Sequence, residues 1–369
     1  MRFITIMWVG CFLLLSACQA FEEPPVELSD QPQGMVTETR SFDVNGQRLS
    51  GLLDIPENGD ARALVILIHG YGQTNVVEQN WYYDLRSRFA ATGISSFVWD
   101  KPGCGGSEGS FDADQPIASS ADEVLAAAAY LRDQKVPGAQ RIGLWGISRA
   151  GWIAPLALSQ DEDLAFWISV SGVDADESFG YLLESNWRIK GYDEAVIARL
   201  LAEWRRGTEI AVTGGSYEDY LSETEAYRTD PFVLFLQNGE EAMSEAAYNS
   251  LRATWQAEPP RFNPTTGLRI YVEGFASTLS KLNIPVLALF GEQDMSVDWQ
   301  STKSLYEDTV GQNPNASLTV RTFPNANHNL HVSQTGGFEE MISILGSHEM
   351  APGYYDTILE WLDTVAADK

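Results

Sequence analysis

Six consecutive apolar residues, Ala63 to Ile68, run straight into His69-Gly70-Tyr71-Gly72. A run of that length, rich in β-branched residues and closed by a glycine turn, reads as a strand buried on both faces. Strand-like stretches recur at Ser95 to Asp100, Arg141 to Gly146, Phe166 to Ser171, Val286 to Phe290 and Leu318 to Phe323. Between and after them lie helix-like stretches at Val76 to Thr92, Ala118 to Gln134, Ser148 to Ser159, Trp299 to Glu307 and Gly353 to Val365. This alternation predicts an α/β fold with a mostly parallel, doubly wound sheet covered on both faces. Ahead of it, Thr37 to Val44 and Leu49 to Ile55 flank Asn45-Gly46, a pair that favours a tight turn, so an antiparallel hairpin should open the domain.

The alternation stops between Val173 and Leu279, where long helical stretches rich in Trp and Tyr replace it. We read 174–278 as an inserted, mainly helical cap, and 35–173 with 279–369 as the core. The cap's aromatics include Phe179, Tyr181, Trp187, Tyr192, Trp204, Tyr217, Tyr220 and Tyr227, most of which are expected to form its own interior. An aromatic-rich lid over a reacting centre would suit an apolar acyl or aryl group.

Residues 1–18 carry one cation, Arg2, an apolar run from Phe3 to Leu15, and then Ser16-Ala17-Cys18. The run is short for a bilayer span and reads as an export signal. It resembles a bacterial lipoprotein signal, and that resemblance implies cleavage before Cys18, acylation of Cys18 and anchoring in the cell envelope. Gln19 in place of Asp resembles the outer-membrane sorting pattern of hosts with two membranes. Residues 19–34, rich in Glu, Pro and Gln, have too little apolar content to fold and read as a flexible tether. With Cys11 removed and Cys18 lipidated, Cys104 would stand alone, so no intramolecular disulfide is expected.

Lys plus Arg number 24 against 51 Asp plus Glu, a formal charge of -27 that repels phosphate backbones, so nucleic acid is not an expected partner. The four histidines lack H-E-x-x-H spacing and a single mature cysteine cannot build a thiolate cage, so neither a metal nor another cofactor is expected.

The strongest chemical signal is Gly146-Ile147-Ser148-Arg149-Ala150-Gly151, set between a strand ending in Leu144-Trp145 and an apolar helix. Small residues two before and two after a serine let the chain bend sharply and expose its hydroxyl, as a nucleophile elbow requires. A serine needs a base, and His328, five residues past the last strand, is the first candidate, with His331 its rival. The histidine needs an orienting acid. Asp294, in Gly291-Glu292-Gln293-Asp294 after strand Val286 to Phe290, fits, with Glu292 and Asp298 as alternatives. Donors for a tetrahedral oxyanion, worth about 3 to 4 kcal/mol each, are expected at the backbone N–H of Arg149 and of Tyr71. His69 reads as a structural residue of its turn.

These motifs, with Asp100-Lys101-Pro102-Gly103-Cys104-Gly105-Gly106-Ser107 and Asn327-His328, resemble the bacterial esterase and lipase branch of the α/β-hydrolase superfamily. The order Ser, Asp, His along the chain is the one described for that superfamily. The resemblance implies a serine hydrolase acting on a small-molecule carboxylic ester. It makes the Asp100 segment a structural turn, in which Lys-Pro departs from the family's basic pattern and Cys104 is a buried small residue. A thioesterase, a small-peptide or amide hydrolase and a catalytically silent binding lipoprotein stay open as alternatives; too few residues precede the core for a prolyl-oligopeptidase propeller. The anchor has its own test. Cys18→Ser should move the protein from the membrane to the soluble fraction, and unchanged fractionation would refute it.

Overall fold

Asn45 and Gly46 both take positive φ, 51° and 76°, the conformation a two-residue hairpin turn demands. They join strands β1 (Met35–Val44) and β2 (Gln47–Pro56) in an antiparallel pair. The computed structural model describes residues 34–345 and 349–366. The export signal with Cys11 and Cys18, the tether up to residue 33, and His348 lie outside the described residues.

The chain continues through β3 (Ala63–Ile68), α1 (Val76–Gln79), α2 (Tyr83–Ala91), β4 (Ile94–Trp99), α3 (Ile117–Asp133), β5 (Ile142–Ile147), α4 (Ala150–Leu158) and β6 (Leu164–Val170). Next come α5 (Phe179–Ile189), α6 (Glu194–Thr213), α7 (Tyr217–Glu223), α8 (Glu225–Arg228), α9 (Pro231–Leu236) and α10 (Glu245–Ala257), followed by a ribbon of β7 (Arg261–Phe262) and β8 (Arg269–Ile270). The last stretch holds α11 (Phe275–Leu279), β9 (Pro285–Gly291), α12 (Trp299–Asp308), β10 (Ser317–Phe323), α13 (Phe338–Ser343) and α14 (Tyr354–Val365). Two compact units result, one of residues 176–270 and one of the described residues on either side.

The larger unit is built on an eight-stranded sheet in the order β1-β2-β4-β3-β5-β6-β9-β10. The six strands from β4 to β10 run parallel, and β2 joins them antiparallel through β4. Every residue of β3 is buried, and its side chains alternate between two cores as the period of a strand requires. Leu64, Ile66 and Ile68 pack with Ala121 to Leu131 of α3, with α4 and with Tyr306 of α12. Ala63, Val65 and Leu67 pack with Leu85 and Phe89 of α2 and with Ile358, Trp361 and Leu362 of α14. The doubly wound sheet with an opening hairpin is therefore as expected.

The smaller unit has its own core. Tyr220 stacks on Tyr248 at 5.2 Å beside Ile210, Leu251 and Trp255. The Trp187 Nε1–H donates to Asp230 Oδ1 at 2.8 Å, and the same carboxylate caps α9 and accepts the Tyr192 hydroxyl at 2.9 Å. Phe179, Trp187, Tyr220 and Tyr227 are buried. The short ribbon β7–β8, only half-buried, carries no apolar pattern and was not expected.

One expected element is broken in two. The helix anticipated over Val76 to Thr92 stops at Asn80 and restarts at Tyr83, with Asn80 and Tyr82 left-handed at φ 56° and 58°. The cause is Arg86, a wholly buried guanidinium that needs acceptors a continuous helix could not offer. Its Nε donates to the Trp81 carbonyl at 2.9 Å, Nη2 bonds the Asn80 side chain, and Nη1 pairs with Asp54 Oδ2 at 2.5 Å. Thr37 Oγ1 and Ser96 Oγ complete the Asp54 shell at 2.6 and 3.3 Å. Removing one member of a buried ion pair leaves its partner charged and dry. Arg86→Met should lower unfolding free energy by about 3 to 5 kcal/mol, read from the urea midpoint; a loss within error would show the pair contributes nothing net.

Candidate active site

Parallel strands leave the sheet on one edge, so the loops after β3, β4, β5, β9 and β10 gather there. Ser148 sits on the bend between β5 and α4 with φ 56°, a left-handed value that is strained for a side chain of this kind. The Ser148 N–H donates to the Val170 carbonyl at 3.0 Å and the Gly151 N–H donates to the Ser148 carbonyl at 2.7 Å, which hold the bend. Small residues are needed here. A Cβ on Gly146 would lie 2.7 Å from that of Ala150, so the missing side chain at 146 makes room for the methyl at 150. A Cβ on Gly151 would meet the Val173 nitrogen at 2.8 Å, which explains the close seat of α4.

Asp294 and His328 meet. The His328 Nδ1 lies 2.7 Å from Asp294 Oδ2, with both side chains buried. A carboxylate accepts, so Nδ1 carries the proton and Nε2 is the basic nitrogen. The other Asp294 oxygen, Oδ1, accepts the Ser296 and Val297 N–H groups at 2.8 and 2.9 Å, fixing the carboxylate's rotation. Two tight approaches shape the loops: a Cβ on Gly291 would strike the Asn327 carbonyl at 2.3 Å, and Asn327, fully buried, ties its loop by accepting the Asn329 and His331 N–H groups on Oδ1 at 2.9 and 3.1 Å.

The rival residues make other contacts. His331 closes the loop through its backbone, accepting the Asn327 N–H at 3.0 Å and bridging to Met350. Asp298 caps α12 through the Gln300 and Ser301 N–H groups, and Glu292 is exposed and bonded to Thr322 Oγ1 at 2.7 Å. Burial pushes the Cys104 thiol pKa up, which disfavours a thiolate.

Tyr71 and Arg149 belong to the same neighbourhood. A Cβ on Gly70 would lie 3.3 Å from the Ser148 Cβ, so the glycine turn presses against the bend. Arg149 stands at the N-terminus of α4, and its guanidinium covers the Tyr71 ring 5.3 Å from the centroid while bonding Ser120 Oγ and the Gln115 carbonyl. Asp100 and Lys101, at the end of β4, fasten this turn. The Val76 N–H donates to Asp100 Oδ1 at 2.5 Å, and Lys101 Nζ donates to the carbonyls of Gly70 and Gly72 at 2.6 and 2.8 Å. The Ser296 and Val297 amides and the Lys101 ammonium had no sequence signature beyond a lysine beside a glycine turn. An arrangement of this kind can deprotonate a hydroxyl and supply donors to a developing oxyanion.

A family model described as "Alpha/beta hydrolase family" matches residues 65–340. A thiohydrolase of Aspergillus aculeatus, aneE, is 28% identical over 142 residues, 38% of this chain, and the match spans 43% of that relative's length. The esterase Pf2001 of Pyrococcus furiosus superposes with a TM-score of 0.51 at 13% identity, over 90% of this chain and 92% of its own. DcsB, solved with a substrate analogue, gives 0.51 at 16% identity, over 90% of this chain and all of its own. At these identities the likeness to the solved structures is one of fold.

His69 is as expected a structural residue. Its Nε2–H donates to the Trp99 carbonyl at 2.7 Å, and burial, with the Lys101 charge adding to it, drives its pKa down to about 3. An unfolded histidine takes a proton near pH 6.5, whereas the folded one resists it to about 3, so the unfolded state binds more protons across that window. Stability from His69 is thus full above pH 6.5 and lost as pH falls toward 3. Its ring resonances should not titrate between about pH 8 and pH 4 by NMR; a midpoint near 6 would refute this burial.

Proposed function

Because the chain belongs to the alpha/beta hydrolase family, we propose that it is a serine hydrolase that cleaves carboxylic esters through an acyl-serine intermediate. The observation that carries this is the Asp294–His328 pair at 2.7 Å, on the same sheet edge as a serine held at φ 56°. In the first step Ser148 Oγ attacks the ester carbonyl carbon and His328 Nε2 takes the hydroxyl proton. Asp294 stabilises the imidazolium. The tetrahedral oxyanion accepts the N–H groups of Tyr71 and Arg149, each worth about 3 to 4 kcal/mol. As the C–O bond to the leaving group breaks, His328 returns its proton to the departing alcohol. Water, deprotonated by the same nitrogen, then attacks the acyl-serine and frees the acid.

A thioester is the second reading, favoured by the thiohydrolase relative, since the same groups serve it and the leaving thiol needs less help from a proton. We further propose an apolar acyl or aryl group, and attachment to the cell envelope through Cys18, with Gln19 pointing to the outer membrane where the host has two membranes.

Hydrolysis of p-nitrophenyl esters from acetate to palmitate, alongside acyl-thioesters of matching length, tests the reading. Ester turnover should fall by more than about 10⁴-fold in Ser148→Ala with the circular dichroism unchanged. A folded protein that turns over no ester, and that a fluorophosphonate never labels at Ser148, would sink it; preference for the thioesters would favour the second reading.

A further inference from the structure

We infer that Lys101 is a positioning residue for the oxyanion site: it locks the Gly70–Tyr71 peptide so that the Tyr71 N–H faces the reacting carbonyl. This rests on the serine-hydrolase reading above. The peptide carbonyl of Gly70 and the N–H of Tyr71 belong to one planar unit, and no cis peptide occurs among the described residues. In a trans unit the C=O and N–H point in opposite directions. Lys101 Nζ holds that carbonyl at 2.6 Å, so the Tyr71 N–H is turned away from the lysine.

Such a lock is needed because of what flanks Tyr71. The Gly70–Tyr71 peptide turns about ψ of Gly70 and φ of Tyr71, and glycine leaves the first of these nearly unhindered; Gly72, at φ 93°, gives the following peptide similar freedom. A flipped peptide would present a carbonyl oxygen in place of a donor and repel a developing oxyanion. Lys101 also holds the Gly72 carbonyl, at 2.8 Å, which fixes the peptide leaving Gly72 and so the far side of the same turn. Its own backbone N–H donates to Thr74 Oγ1 at 2.7 Å, which ties the lysine to the far side of the same loop.

The sheet brings these groups together. β3 and β4 pair in parallel with Ile66 opposite Phe97, so the chain leaving β3 at His69 runs beside the chain leaving β4 at Asp100. A tetrahedral ammonium carries three rotatable donors and can serve two carbonyls two residues apart. Its charge on the Gly70 carbonyl also polarises the peptide and strengthens the N–H on the other end. The Arg149 guanidinium over the Tyr71 ring holds the side chain of the same residue.

The test compares Lys101→Met and Lys101→Gln with wild type in the full chain, on a p-nitrophenyl ester. Lys101→Met should lower kcat by about 10- to 100-fold, less than deleting a donor outright, with KM within about twofold. Lys101→Gln, which keeps neutral donors, should fall between the two. A trifluoromethyl ketone, which forms a hemiketal oxyanion on the serine, should lose affinity by the same factor as kcat/KM. A mere packing role would not move that inhibitor in proportion. Folded Lys101→Met with wild-type kcat, a loss confined to KM, or unchanged ketone affinity would overturn the inference. If Lys101→Met does not fold, Lys101→Gln is read against the same three outcomes. Wild-type protein that turns over no ester would remove the underlying reading, and the inference with it.

Discussion

A backbone bend that few side chains accept lies under everything else in the larger unit. Holding Ser148 at φ 56° costs on the order of 1 to 3 kcal/mol, and the bend persists only because its surroundings leave no alternative. Val170 on the neighbouring strand takes its N–H, and Gly146 yields space to Ala150. The Gly70 turn closes against it from β3. Behind the bend stand the parallel strands, with β3, β4 and most of β5 and β6 buried, so the strain is borne by a scaffold that cannot yield locally.

What could be read from residues alone was whatever depends on short-range pattern. The buried runs, the Asn45-Gly46 turn and the serine bend all announce themselves within about ten residues, because strand period, turn chemistry and steric room are local. The break at Asn80 does not. It answers to Arg86 and through it to Asp54, which lies on a strand 32 positions away. The Asp294 and His328 candidates were visible as loop residues after two strands, but the choice over Glu292, Asp298 and His331 rested on position alone. In the structure Asp298 caps a helix, Glu292 faces solvent, and His331 closes a loop through its backbone.

Lys101 shows a different kind of blindness. In sequence it is a variable position inside a structural turn, and only the adjacency of β3 and β4 turns it toward Gly70 and Gly72. A similar logic holds in the smaller unit. There Asp230 ties Trp187, Tyr192 and the start of α9 through one carboxylate, across a separation of 43 positions that no local pattern encodes. Each unit thus carries at least one buried charged group whose partners define its shape, and each has its own apolar interior.

Among the described residues the sheet ends openly on both sides, with β1 outermost at one end and β10 at the other. Unpaired backbone on an outer strand is a template on which another chain can lengthen the sheet. Here β1 carries Glu38, Arg40 and Asp43 with their charges in solvent, and β10 carries the exposed Arg321. Any newcomer would have to strip water from those groups while approaching a molecule of formal charge -27. Protection from fibrillar stacking is therefore written into the two outermost strands, and lengthening either one with apolar residues would take it away.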